Sequence, residues 1–185
     1  MNTEGLQMAV EFLTSDLVLG KRVLEVGARN INGSLRQVIE PLGPLSYVGT
    51  DIVPGEGVDE ICPAHKLVER YGPDSFDLAI CTSCLDLIAD WRAAVANIKL
   101  VLAPQGVVYI SAPDVYPKRG AIPESIGLYQ DQWRFSILDL RMIFADFEIL
   151  HAVDSPDAPR IAYIVACKPV DWVPVELSTI KLRKA

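Results

Sequence analysis

Positive charge is in short supply in this chain. It sets 17 Lys and Arg against 24 Asp and Glu, for a formal net charge of −7. A surface of that sign repels a phosphate backbone unless a basic patch is set apart on it. The one basic cluster is Lys181, Arg183 and Lys184, late in the sequence, so nucleic acid is not an expected partner. Long apolar runs are missing too: none approaches the ~20 residues that span a bilayer, and no membrane partner is expected. The N-terminal residues carry Glu4 and Glu11 with no basic stretch before an apolar core, unlike a secretory signal. Cysteine is scarce, with four residues. Without a targeting signal, that points to a reducing, cytoplasmic setting. Internal repeats, low-complexity tracts and linkers are absent as well.

What remains is an ordinary globular composition, half hydrophobic and 22% charged over 185 residues, enough for one domain with a substantial core. Residues 3–19 repeat apolar positions at Leu6, Val10, Leu13 and Leu17, a helical stripe. Strands are expected at about 21–27, 45–51, 58–62, 76–81 and 107–111, with helices at about 34–40, 64–71 and 90–102 between them. Pro41, Gly43 and Pro44 stop one helix, Gly72-Pro73 another. From Ala112 to Trp133 the pattern dissolves, and a connection that long is usually a binding loop or lid. Ser136 and Asp139 then read as a capping box opening a helix through Phe144. Two last strands follow, at about 147–153 and 160–168, joined around Ser155-Pro156-Asp157. Alternating strands and helices predict a doubly wound α/β sheet.

Val23, Leu24 and Val26 flank Glu25 in an apolar run that ends at Gly27, and Asn30, Asn32 and Gly33 precede Ser34, which opens a helical pattern. Strand, glycine turn and helix N-terminus converge on one point, suited to the polar end of a nucleotide-like ligand. The second strand runs into Asp51, where a carboxylate can accept from both hydroxyls of a ribose. A dinucleotide fingerprint would place a glycine where Arg29 stands, so the close approach to a pyrophosphate is lost. No Tyr has a Lys four residues on, which disfavours a short-chain nicotinamide reductase.

Five blocks carry a resemblance. VLEVGARNINGSLR, YVGTDIVPGEGVDEI, FDLAICTSCLDLI, LVLAPQGVVYISAP and DQWRFSILDLRMIF resemble, in order, the motifs of a class I S-adenosylmethionine-dependent methyltransferase. The nearest likeness is to the small bacterial methyltransferase type 11-like group, and it covers roughly residues 20–168. The resemblance implies a single Rossmann-like methyltransferase domain over 1–185. Its core would be 20–168, with an N-terminal helix 3–19, a tail 169–185, strand order 3-2-1-4-5-7-6 and an antiparallel last strand. It implies S-adenosylmethionine as cofactor, S-adenosylhomocysteine as product, and a small, carbohydrate-related acceptor.

Residue by residue, it implies cofactor contacts at Glu25, Gly27, Gly33, Asp51, Ile52, His65 and Cys81, and catalytic roles at Asp86 and Arg134. Most of them have a plainer reading. Glu25 could answer a neighbouring lysine or backbone group, because a bare carboxylate inside an apolar strand is costly. Gly27 and Gly33 could be turn glycines and Asp51 a cap. His65 could be a solvated helix-start residue. Arg134, within Trp133-Arg134-Phe135, could serve a carboxylate or carbonyl instead of an anionic or sugar-like acceptor. Asp114, Tyr116, Tyr129 and Asp131 sit in the adjacent loop and could line an acceptor pocket.

Cys62-Pro-Ala-His65 and Cys81-Thr-Ser-Cys84 have metal-type spacings. The implied strand order sets the third and fourth strands about 14 Å apart at ~4.8 Å per spacing, too far for one zinc ion, and buried structural cysteine is the reading kept. Relatives commonly carry an acidic residue at Pro63 and a histidine at Leu87. With Arg29, these two departures motivate a rival: a catalytically silent fold that binds a partner or senses the cofactor. The tail 169–185 is apolar at Val173, Val175, Leu177, Ile180 and Leu182, and could dock on the fold, on a protein partner or on a second copy.

Overall fold

The structure is a computed structural model that describes residues 3–31, 33–117, 129–156 and 159–185. Asn32 of the first motif, 118–128 of the long loop and Asp157 of the last turn lie outside the described residues.

Seven strands form the main sheet: β1 (Arg22–Val26), β2 (Ser46–Asp51), β3 (Glu60–Ile61), β4 (Phe76–Thr82), β5 (Leu102–Val115), β7 (Glu148–Asp154) and β8 (Arg160–Cys167). Two short strands, β6 (Trp133–Arg134) and β9 (Arg183–Lys184), pair separately. The main sheet runs β3-β2-β1-β4-β5-β8-β7. This is the expected 3-2-1-4-5-7-6 order, with the numbers moved on because β6 takes the sixth place. The first five strands pair in parallel, and β8 is antiparallel to both neighbours.

Strand alternation builds two cores, one on each face. Leu24, Val26, Ala79, Cys81, Val108 and Ile110 face Leu67 of α4 (Leu67–Tyr71), Trp91, Val95 and Ile98 of α5 (Trp91–Val101), and Leu140 and Ile143 of α6 (Ile137–Ile143). Val23, Leu78, Ile80 and Tyr109 face the other way. They pack on Ala9 and Phe12 of α1 (Thr3–Phe12), Val18 of α2 (Ser15–Val18) and Ile39 of α3 (Arg36–Ile39). Each fully buried aliphatic or aromatic side chain stabilises the fold by about 1.5–3 kcal/mol. Two helices start at side-chain caps: Asp90 accepts from Ala93 N at 3.1 Å before α5, and Ser136 and Asp139 form a reciprocal capping box before α6.

Three sequence expectations need correction. The 3–19 stripe is two helices, because Thr14 is extended (φ −70°, ψ 164°) and opens α2. The helix expected over 34–40 is helical only from Arg36 to Ile39, then tightens to a 3₁₀ turn over Glu40–Leu42 around Pro41. The fifth strand begins at Leu102, which pairs with Phe76. Pairing breaks at Pro104-Gln105-Gly106 and resumes at Val107 opposite Leu78.

Candidate functional site

The site lies where β1, β2 and β4 end together. Gly27 turns with φ +76°, and its N–H and that of Ala28 still donate to Thr50 O, at 2.8 and 3.0 Å. A side chain cannot stand at Gly27: a Cβ there would lie 2.5 Å from Cys84 Sγ and 2.7 Å from its Cβ. The loop then crosses to the turn after β2. Asn30 N donates to Glu56 O at 2.8 Å, its amide to Glu56 Oε1 at 2.8 Å, and Asn30 Oδ1 accepts from Gly33 N at 2.9 Å. The result is a bare-backbone floor between β1 and β4.

Two cavities share that floor. The outer one, about 550 Å³, is lined by Gly27, Asp51, Ile52, Pro63, His65, Cys84 and Leu87, among others. The inner one, about 330 Å³, is lined by Glu25, Gly27, Arg29, Gly33 and Asp51, together with Thr82, Ser83, Ser111, Tyr116 and Tyr163. Both volumes fall in the range of about 300–1,000 Å³ typical of small-molecule sites. Gly27, Asp51, Cys84 and Tyr129 line both.

Asp51 is the hinge between them. Its Oδ1 accepts from Ile52 N at 2.7 Å, Val53 N at 3.3 Å and Tyr129 OH at 2.6 Å. Its Oδ2 accepts only one long bond among the described residues, from Arg29 N at 3.3 Å. One oxygen is therefore saturated and fixed, and the other retains capacity for a ligand hydroxyl. Burial, then the bond to Asp51, hold the Tyr129 phenol above its ordinary pKa, so it stays a donor.

Glu25 reaches the inner cavity from the face packed by α1 and α3. It is 3% exposed, and Tyr47 OH donates to its Oε2 at 2.6 Å. Arg36 stacks over the Tyr47 ring at 4.4 Å and pairs with Asp59 and Glu40, steadying the phenol. Burial raises the Glu25 carboxyl to about 7 against the pull of Tyr47 and Arg36. The group is thus poised to ionise when a cation arrives beside it.

The structure brings together Glu25, Gly27, Gly33, Asp51, Ile52 and His65, and separates three others from the cavities. Cys81 is buried in the sheet and lines neither; its hydrogen bond with Cys84, then burial, raise its thiol well above the ordinary value. Asp86 is fully buried in the 3₁₀ turn Leu85–Leu87, leaving Leu87 and Ile88 to face the outer cavity. Arg134 is spent elsewhere: it pairs with Asp131 at 2.8 Å and donates to the carbonyls of Tyr116, Trp133 and Pro117. Its edge borders a third, open cleft of about 660 Å³ with Asp114, Tyr116, Arg183 and Lys184.

Sequence reasoning missed Cys84, Ser111 and Tyr163 as lining residues. The Cys81-Thr-Ser-Cys84 spacing reads as a metal pair or buried structural cysteine, whereas Cys84, two residues past β4, lies opposite Gly27. Tyr163 enters through the antiparallel register that sets it beside Ser111, which no local pattern displays. No group of three or more His, Cys, Asp or Glu among the described residues is placed to hold a metal ion. No helix of the described residues is long and apolar enough to cross a membrane.

A parallel sheet with one antiparallel strand, a glycine floor after β1 and an acid ending β2 define a class I methyltransferase architecture. The methyltransferase domain family matches residues 3–154, and the chain belongs to that family. None of the curated proteins matches it. Solved structures share the fold. A 1,6-didemethyltoxoflavin-N1-methyltransferase from Burkholderia thailandensis is 20% identical with a TM-score of 0.67, over 89% of this chain and 78% of that one. An S-adenosylmethionine-dependent methyltransferase from Mesorhizobium loti is 18% identical with a TM-score of 0.62, over 89% and 100%. The N-methyltransferase NodS from Bradyrhizobium japonicum is 13% identical with a TM-score of 0.62, over 91% and 98%.

Proposed function

We propose that this methyltransferase moves a methyl group from S-adenosylmethionine to a small polar acceptor taken up in the inner cavity. The observation that carries the reading is the convergence of Gly27, Asp51 and Glu25 on two joined cavities. When bound, the cofactor supplies an electrophilic methyl on a sulfonium. The chain's part is positioning, which supplies much of the rate in such a displacement.

Asp51 would take ribose hydroxyls on Oδ2, and Ile52, with the Pro63–His65 turn, would cover the adenine. Glu25 would hold the amino end, its carboxylate favoured by the ammonium. Gly27 leaves the floor bare beside Cys84, where the reacting centre needs close approach. Thr82, Ser83, Ser111 and Tyr116 would then offer the acceptor hydroxyls along one wall. Such a lining suits a polyhydroxylated or amine-bearing molecule, which supports the carbohydrate-related acceptor implied by the family resemblance. Two of the fold neighbours described above are named for nitrogen methylation. A neutral amine would need no base, in keeping with Leu87 standing where a histidine is common and with Asp86 buried.

The test is calorimetric titration with S-adenosylmethionine and S-adenosylhomocysteine, followed by product formation with sugars, amino sugars and small amines. Micromolar binding with turnover on one class supports the reading. Binding without turnover on any small acceptor would shift the function to a cofactor-sensing or protein-binding module. No binding to folded protein would sink the cofactor assignment.

A further inference from the structure

Of the three places the tail could dock (the fold, a partner or a second copy), it takes the first and runs along the protein's own surface. Trp172 Nε1 and Val175 N donate to Asp146 Oδ2 at 2.8 and 3.1 Å. Arg92 donates to Leu177 O at 3.0 Å and to Ile180 O, and Ile180 is buried in the larger core. Beyond it, β9 pairs antiparallel with β6, Arg183 pairs with the buried Asp114, and Lys184 Nζ lies 3.6 Å from the Trp133 ring centroid. Ala185 N donates to Gln132 O at 3.1 Å.

The segment it grips is a wall of the outer cavity. Tyr129, Gln130 and Gln132 line that cavity, Tyr129 reaches Asp51, and Gln132 N donates to Asp86 O at 2.8 Å. Trp133 Nε1 donates to Ile88 O at 3.0 Å. Yet among the described residues its only strand pairing, β6, is two residues long and is made with β9, and an isolated two-stranded pair is marginal in water. A wall left loose must be ordered when ligand binds, and that cost is subtracted from affinity.

We infer that residues 176–185 are a positioning strap: they hold 129–134 in place and so set the cofactor affinity of a cavity they never line. The inference rests on the cofactor reading above. Its key residue is Arg183, whose side chain is mostly exposed while its partner Asp114 is buried.

The experiment compares the full chain with a variant stopping after Lys181, and with Arg183→Ala and Arg183→Lys. Hydrogen exchange reports the wall, and calorimetry with S-adenosylhomocysteine reports affinity. Exchange at 130–135 should rise about ten-fold in the shortened chain while β1 and β4 stay protected. Its Kd should rise about five- to twenty-fold. Arg183→Ala should fall between, and Arg183→Lys should recover most of the loss by keeping the charge on Asp114. Unchanged Kd overturns the inference whether or not exchange rises, and loss of protection throughout the sheet overturns it in favour of a purely folding role. A full chain that binds no S-adenosylhomocysteine overturns the cofactor reading and the affinity claim with it. The exchange data would still decide separately whether the tail holds the wall.

Discussion

Gly27 and Cys84 are in such close apposition that no side chain fits between them: a Cβ on Gly27 would meet Cys84 Sγ at 2.5 Å. The positive φ of +76° at Gly27 adds a second constraint, since a left-handed alanine costs roughly 1–2 kcal/mol. Gly27→Ala should therefore destabilise the protein by about 2–4 kcal/mol, conformational strain and overpacking together. Adding Cys84→Gly should return the overpacking part and leave the φ part. Thermal or urea unfolding of the two variants checks this. A double variant no more stable than Gly27→Ala would show that backbone strain alone sets the requirement.

Asp51 offers a ligand one oxygen, Oδ2, that accepts only a long bond from Arg29 N among the described residues. If Oδ2 takes the ribose, Asp51→Ala weakens S-adenosylhomocysteine binding by about 1.5–3 kcal/mol, the scale of a charge-assisted hydrogen bond. Tyr129→Phe removes only a donor to the saturated Oδ1 and should leave affinity within about three-fold. Titration of both variants decides. Tighter binding by Tyr129→Phe would mean that the phenol competes with the ribose for Asp51.

These two residues were legible because each carries a local signature: a glycine ending an apolar strand, and an acid ending the next. The sheet order was legible for a similar reason, five motifs in sequence implying one topology. What stayed hidden depends on distant parts of the chain. Arg134 stands in a motif, but its guanidinium is claimed by Asp131 and three carbonyls, partners visible only once the loop is folded. Asp86 sits one residue from a cavity-lining leucine, and a 3₁₀ turn decides which of the two faces inward. Tyr163 enters through strand register with Ser111, and the tail's grip on β6 joins residues about fifty positions apart.

Glu25 gives the site a pH dependence of two opposite signs. Its carboxyl is raised from 4.5 to about 7 in the folded protein, chiefly by burial. Between those values the folded state holds a proton that the unfolded chain has released. The stabilising contribution is therefore complete below about 4.5 and is lost as pH rises through about 7, by roughly 3 kcal/mol. Cofactor binding runs the other way, because the ammonium favours the carboxylate, so affinity should rise from pH 5.5 to 8. Glu25→Gln should flatten both profiles. Unfolding and titration across that range check them, and a wild-type affinity that does not change with pH would remove Glu25 from the amino end.

Lys99 and Asp146 form the buried pair under the tail, 2% and 4% exposed with Nζ and Oδ1 2.6 Å apart. Burial lowers the Lys99 pKa against the pull of Asp146. The ammonium also donates to Ile143 O and lies 4.9 Å from the Phe144 ring centroid. Breaking one side of such a pair strands the other charge. Lys99→Met should cost about 3–5 kcal/mol, because Asp146 would keep only Trp172 Nε1 and Val175 N as donors. Asp146→Asn should cost less at high pH, where a lysine of lowered pKa can shed its proton, and more at pH 6, where it stays charged. Urea unfolding at both pH values separates the cases. A loss below about 1 kcal/mol for Lys99→Met would mean that water reaches Asp146 when the lysine is gone, and that the tail's inner anchor is the Trp172 packing on Phe147 instead of the ion pair.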